Sequence, residues 1–105
     1  MPVLTLEEAK MQCRIEPEIT DDDLHLETLI QAAHSAIESD LAKTLVDADP
    51  LDGQQIINAS IKMAAKLLVA HWYSNREAVI VGSIATSLPL GYDSLLQPFR
   101  DVLVG

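Results

Sequence analysis

The 105 residues suffice for one modest hydrophobic core and are too few for two. Hydrophobic residues make up 49% of the chain, which excludes a disordered polymer, but aromatics make up only 4%, so Leu, Ile, Val and Ala must fill the interior. The net charge of −9 is concentrated: residues 1–52 carry thirteen of the sixteen acids and three of the seven bases, while residues 53–105 stand at +1. An acidic first half repels nucleic acid, and no basic patch with interleaved aromatics offsets it.

Thr5 followed by Glu8 is a capping-box pattern and predicts a short helix from Leu6 to Cys13. Pro17 pushes Glu16 out of helical geometry and ends it. A second helix is expected from Asp21 to Lys43, with Thr20 at its start. Asp21, Asp22 and Asp23 in the first turn complement the exposed N–H groups there. Leu26, Ile30, Ala33, Ile37, Leu41 and Leu45 recur at steps of three or four and mark its buried stripe. The stretch VDADPLDG reads as a turn-rich loop.

A third helix is predicted from Gln54 to Arg76. Its polar stripe (Gln55, Asn58, Lys62, Lys66) is narrow and most of its remaining girth is apolar, so neighbours should pack it on several sides. At its end stands HWYSNREAV. Trp72 and Tyr73 offer large buried area with a polar tip each. Asn75 can adopt left-handed geometry or bond to nearby backbone. Arg76 complements the last carbonyls, and Glu77, its sequence neighbour, must find a base elsewhere.

Ala78 to Leu88, AVIVGSIATSL, is apolar, β-branched and without charge, and reads as an extended arm or a small hairpin. Such a segment must fold back on its own core or be covered by another chain. Val79, Ile80, Val81, Ile84 and Leu88 are its candidate subunit-contact residues. Pro89 and Gly91 punctuate a turn, and Asp93 or Ser94 is expected to cap a short last helix holding Leu95, Leu96 and Phe99. Pro98 limits that helix to about one turn. The expected fold class is all-α: one domain, a small bundle of about four helices around a long central one, with an extended arm or loop over residues 78–91.

Chemistry is sparse. The Asp21-Asp22-Asp23 run with His25 lacks the spacing and the Gly of a calcium loop. His25, His34 and His71 form no HExxH or Cys/His pattern. The serines have no nucleophile context, and the four glycines form no phosphate loop. No catalytic, cofactor-binding or metal-binding residue is expected. Lys62 and Lys66 make a small basic stripe, read as solvated or as facing an acidic neighbouring subunit. The lone Cys13 lies in an amphipathic run, reads as a small buried side chain, and fits a reducing compartment. No secretory signal is legible, and Lys62 and Lys66 interrupt the most apolar run, so a soluble cytoplasmic product is expected.

Three stretches, in order, resemble one family. LTLEEAKMQCRIEPEITDDDLHLETLIQAA is similar to the opening of the small head–tail connector proteins of long-tailed phages, AAKLLVAHWYSNREAV to their central helix, and LPLGYDSLLQPFR to their closing motif. The resemblance covers nearly the whole chain. The stretch LAKTLVDADPLDG is not distinctive.

The resemblance implies a helical adaptor in a homo-oligomeric, dodecamer-like ring, with no enzymatic activity and no cofactor. Its implied partners are the portal of the filled head and a tail or stopper protein, with DNA threading the ring unread and no membrane involved. The implied place is the head–tail junction of a virion, assembled in the host cytoplasm or encoded by a prophage. On this reading Trp72, Tyr73, Asn75, Arg76, Pro89, Gly91, Pro98 and Arg100 are structural anchors. The other reading of the same features is a small acidic helical regulator, an antitoxin-like dimer with a protein partner.

Overall fold

A computed structural model describes residues 2–75 and 89–100. Among these the structure is mostly helical: α1 (Leu6–Gln12), α2 (Asp23–Leu41), α3 (Ala59–Ser74) and α4 (Tyr92–Leu96), followed by a 3₁₀ turn at Gln97–Phe99. Two three-residue strands, β1 (Thr44–Val46) and β2 (Gln54–Ile56), join α2 to α3.

Helix α1 begins as its capping box dictates. The Glu8 N–H donates to Thr5 Oγ1 at 3.1 Å, and the Thr5 N–H donates to Glu8 Oε1 at 2.9 Å. Glu8 also receives Lys62 Nζ of α3 at 2.9 Å, so one carboxylate caps α1 and ties it to the central helix. The Thr5 backbone N–H first, then Lys62, hold its carboxyl below the ordinary value of 4.5. A depressed carboxylate stabilises the fold above its unfolded pKa, and that contribution is lost as pH falls through the folded value. Glu8→Ala should therefore cost about 1 kcal/mol at pH 7. The gap between wild type and Glu8→Gln in urea melts should shrink when the same melts are run below pH 4.5.

Helix α2 starts at Asp23, two residues later than expected. Asp22 occupies the cap position, but its carboxylate makes no capping bond and instead accepts the Tyr73 hydroxyl at 2.7 Å. The helix ends at Leu41, not Lys43, because Ala42 turns left-handed at φ 55° and the Lys43 N–H reaches back to the Glu38 carbonyl. An alanine there bears a strain that glycine avoids. Ala42→Gly, at an exposed position, should raise stability by about 0.5–1 kcal/mol, read as a higher urea midpoint with unchanged slope.

Leu45, which continues the α2 periodicity in sequence, is buried from β1 instead. Its N–H donates to the Glu38 carboxylate at 2.9 Å, which fixes the chain just past the reversal. Strands β1 and β2 pair in parallel with Thr44 opposite Gln54 and Val46 opposite Ile56. Parallel strands normally need a long crossover. Here residues 47–53 suffice, with Asp49 at φ 47° and Gly53 at φ 80° supplying two left-handed turns.

The predicted start of α3 is corrected accordingly. Gln54–Ile56 is strand, and Asn58 is the N-cap, its side chain accepting the Ile61 N–H at 3.0 Å. Gln55 and Asn58 thus leave the helical polar stripe. From Ala59 onward α3 is the central column. It packs against α1, α2 and α4, and buries Ile61, Ala64, Ala65, Leu68, Val69 and Trp72. Its alanines let neighbouring backbones approach. Leu26, Ile30, Ala33, Ile37 and Leu41 of α2 complete the core with Val3, Leu4, Tyr92 and Leu96. Each large side chain so buried contributes about 1.5–3 kcal/mol.

The closing helix α4 begins at Tyr92, ahead of the expected caps Asp93 and Ser94. Gly91 takes the cap position at φ 90°, so a side chain there is opposed by backbone conformation, not by space. Pro98 falls within the 3₁₀ turn, near its start, where a missing N–H is tolerated.

Candidate functional site

The most organised polar feature is a set of long-range ties that hold the helix ends and the closing segment. Lys10 is 6% exposed, the one charged residue among the described residues that is fully buried. Its Nζ donates to the Pro17 carbonyl at 3.1 Å and the Ile19 carbonyl at 2.7 Å, and pairs with Asp23 Oδ1 at 2.8 Å. One ammonium therefore organises the whole link from α1 to α2. This link also includes Arg14 at φ 60° and an Ile15 N–H bonded to the Lys10 carbonyl.

The second tie is at the other end of α2. Arg100 grips Asp40 with Nε at 3.0 Å and Nη2 at 2.8 Å, and Nη1 reaches Asp93 at 2.6 Å and Gln97 at 3.2 Å. The Tyr92 hydroxyl donates to the same Asp40 at 3.1 Å, and Lys43 Nζ donates to the Phe99 carbonyl at 2.9 Å. Burial, then the Asp40 carboxylate, push the Tyr92 phenol well above its ordinary range. Asp40 raises Arg100 above its already high ordinary value, so the guanidinium stays charged at any pH the fold tolerates.

At the C-terminal end of α3, Trp72 is 3% exposed, and its indole N–H has no acceptor among the described residues. Tyr73 bonds Asp22 and stands 6.2 Å, ring to ring, from His25. Asn75 is not left-handed (φ −125°); its side chain bonds the His71 carbonyl at 2.9 Å. Arg76 and the arm residues Val79, Ile80, Val81, Ile84 and Leu88 lie outside the described residues. Pro89 and Gly91 form the turn into α4, the Pro89 carbonyl accepting the Tyr92 N–H at 3.3 Å. The long-range partnerships of Lys10, Asp22 and Asp40 escaped sequence reasoning, which placed Asp22 only as a first-turn acid of α2. Only Lys10 left a signal, as a lysine on the apolar stripe of α1.

No group of three His, Cys, Asp or Glu residues could hold a metal among the described residues. Burial raises the pKa of the Cys13 thiol, which makes it a poor nucleophile. No described helix is long and apolar enough to cross a membrane. Lys62, one of the two lysines of the basic stripe, pairs with Glu8 of its own chain.

What remains is a helical body held by internal ion pairs, whose outer surface is acidic. A family model for the phage gp6-like head-tail connector proteins matches residues 3–100. The chain belongs to this family. The match runs from the first buried residues, Val3 and Leu4, to Arg100, so it takes in both ties and the central column. No curated protein and no solved structure matches. Head-tail connectors are structural phage proteins, and this connector's role is accordingly structural.

Proposed function

We propose that this connector forms a closed ring between the portal of the DNA-filled head and the tail, and that DNA passes through the ring without being bound. Identical subunits in a ring meet through two different complementary faces. The whole chain acts as one domain in this role, without catalysis, at the head–tail junction.

The observation that supports DNA passage is the placement of the cations. Of the six described basic residues, Lys10, Lys43, Lys62 and Arg100 are committed to internal carboxylates or carbonyls. Glu7, Glu16, Glu18, Asp21, Glu27, Asp47, Asp49 and Asp52 meanwhile stand exposed. Phosphate binding needs several free cations arranged along a surface, and this fold consumes most of its own. A channel lined by such a surface lets a polyanion slide.

The test has two arms. In the phage that encodes it, removing the connector should leave DNA-filled heads without tails in electron micrographs; intact tailed particles would refute the proposal. Purified connector should leave the anisotropy of a labelled DNA duplex unchanged even at low salt, and micromolar binding would refute unhindered passage.

A further inference from the structure

Two apolar depressions flank α1 and meet at Leu6. One, about 600 Å³, lies against α2 and includes Leu4, Leu24 and Ile30; the other, about 620 Å³, includes Met11 and Ile15. Leu4 and Ile30 are buried at the floor, whereas Leu24 and Met11 are each 81% exposed at the edges. Nothing in the core or in the two ties uses these exposed side chains.

We infer that this double groove receives residues 78–88 of an adjacent copy of the chain, which makes it the acceptor face of the ring. The inference rests on the ring reading above. Charge decides the occupant. Glu7 and Glu27 border the groove on a chain of net charge −9, so most of an identical neighbour is repelled from it. Residues 78–88 contain no ionisable group and offer Val79, Ile80, Val81, Ile84 and Leu88 to an apolar lining. A basic partner would find two carboxylates, Glu7 and Glu27, in a lining that is otherwise apolar or neutral except for Lys10, whose ammonium is already paired with Asp23.

Tether geometry sets the range. Residues 76–88 separate Asn75 from Pro89. An out-and-back excursion of that length reaches roughly 20 Å at ~3.3–3.6 Å per residue. That is less than the ~30 Å width of a small domain, so the segment reaches the near flank of an adjacent copy and nothing beyond. The Tyr73–Asp22 bond sets its starting point beside the N-terminal end of α2, the end that carries Leu24.

The experiment uses the full chain with Cys13→Ser. Differently tagged Leu24→Cys and Ile84→Cys chains are mixed and oxidised, and covalent pairs carrying both tags are expected. A chain with both substitutions should give linked oligomers. Internally bridged monomers alone would show that each chain fills its own groove and overturn the inference, as would no cross-link at all.

Sedimentation over a concentration range, with portal protein added in a parallel series, separates this failure from that of the ring. Met11→Glu with Leu24→Glu, both at exposed positions, should weaken assembly at least about 10-fold, as should Val81→Asp with Ile84→Asp, with helical circular dichroism unchanged. If only the second pair disrupts assembly, the groove is not the acceptor while the ring stands. If neither does, the segment is not the contact and the inference fails while the ring again stands. A wild-type chain that remains monomeric in both series overturns the ring and the inference together.

Discussion

Trp72→Ala should lower the unfolding free energy by about 3–5 kcal/mol, the cost of removing a large aromatic from a packed interior. Trp72 is 3% exposed in the last turn of α3, in the same core as Leu68 and Val69. Its removal leaves a cavity at the point where the central column ends. Trp72→Phe should cost far less. Its smaller ring still fills much of the site, and the lost indole N–H has no acceptor among the described residues, so no hydrogen bond is forfeited there. Urea melts followed by circular dichroism decide it. Equal losses for the two variants would mean that the indole's polar edge, and not its volume, is what the fold needs.

Lys10→Met should cost about 2–4 kcal/mol, although methionine matches the aliphatic stem and the helical propensity of lysine. The loss is electrostatic and local. Without the ammonium, Asp23, whose side chain is 28% exposed, loses its cation, and the carbonyls of Pro17 and Ile19 lose their donor. Breaking a buried pair from one side costs more than the pair is worth, because the remaining charge stays desolvated. Asp23→Asn in the Lys10→Met background should therefore recover part of the loss, and a double-mutant cycle in urea measures the coupling. Proteolysis within residues 13–22 should rise in Lys10→Met, since that link is held by the ammonium. Unchanged cleavage would mean that Arg14 and Ile15 hold it unaided.

The two residues differ in how far the sequence announces them. Trp72 is visible at once, as the single tryptophan at the end of an apolar helical run. Lys10 is visible only as an anomaly, a cation at a position where the stripe of α1 calls for an apolar side chain. Its partners lie seven, nine and thirteen residues away, at a proline and beyond it, where helical periodicity says nothing.

The candidate surfaces divide in the same way. The uncharged segment at 78–88 is a matter of composition and needs no coordinates. The groove beside α1 is assembled from residues 2–31, and only the packing of α1 against α2 brings them together. Periodicity separates Leu24 from the buried stripe that Leu26 begins, but it does not show that Leu24 stands at the edge of a depression against α1.

By itself the sequence determined the helical class, the capping box that starts α1, the apolar stripe of α2 and the dominance of the central helix. These are signals within a few residues of one another, set by backbone periodicity and local hydrogen bonds. Tertiary structure decided where α2 and α3 begin and end, because those boundaries answer to distant groups. Asp22 serves Tyr73 and not its own helix, and residues 54–56 join β1 while Asn58 caps α3. Tertiary structure also chose the ion pairs, Glu8 with Lys62 and Asp40 with Arg100, across separations of 54 and 60 residues. Charge in a sequence states how many partners are needed, and only the packing of helices brings two of them within reach.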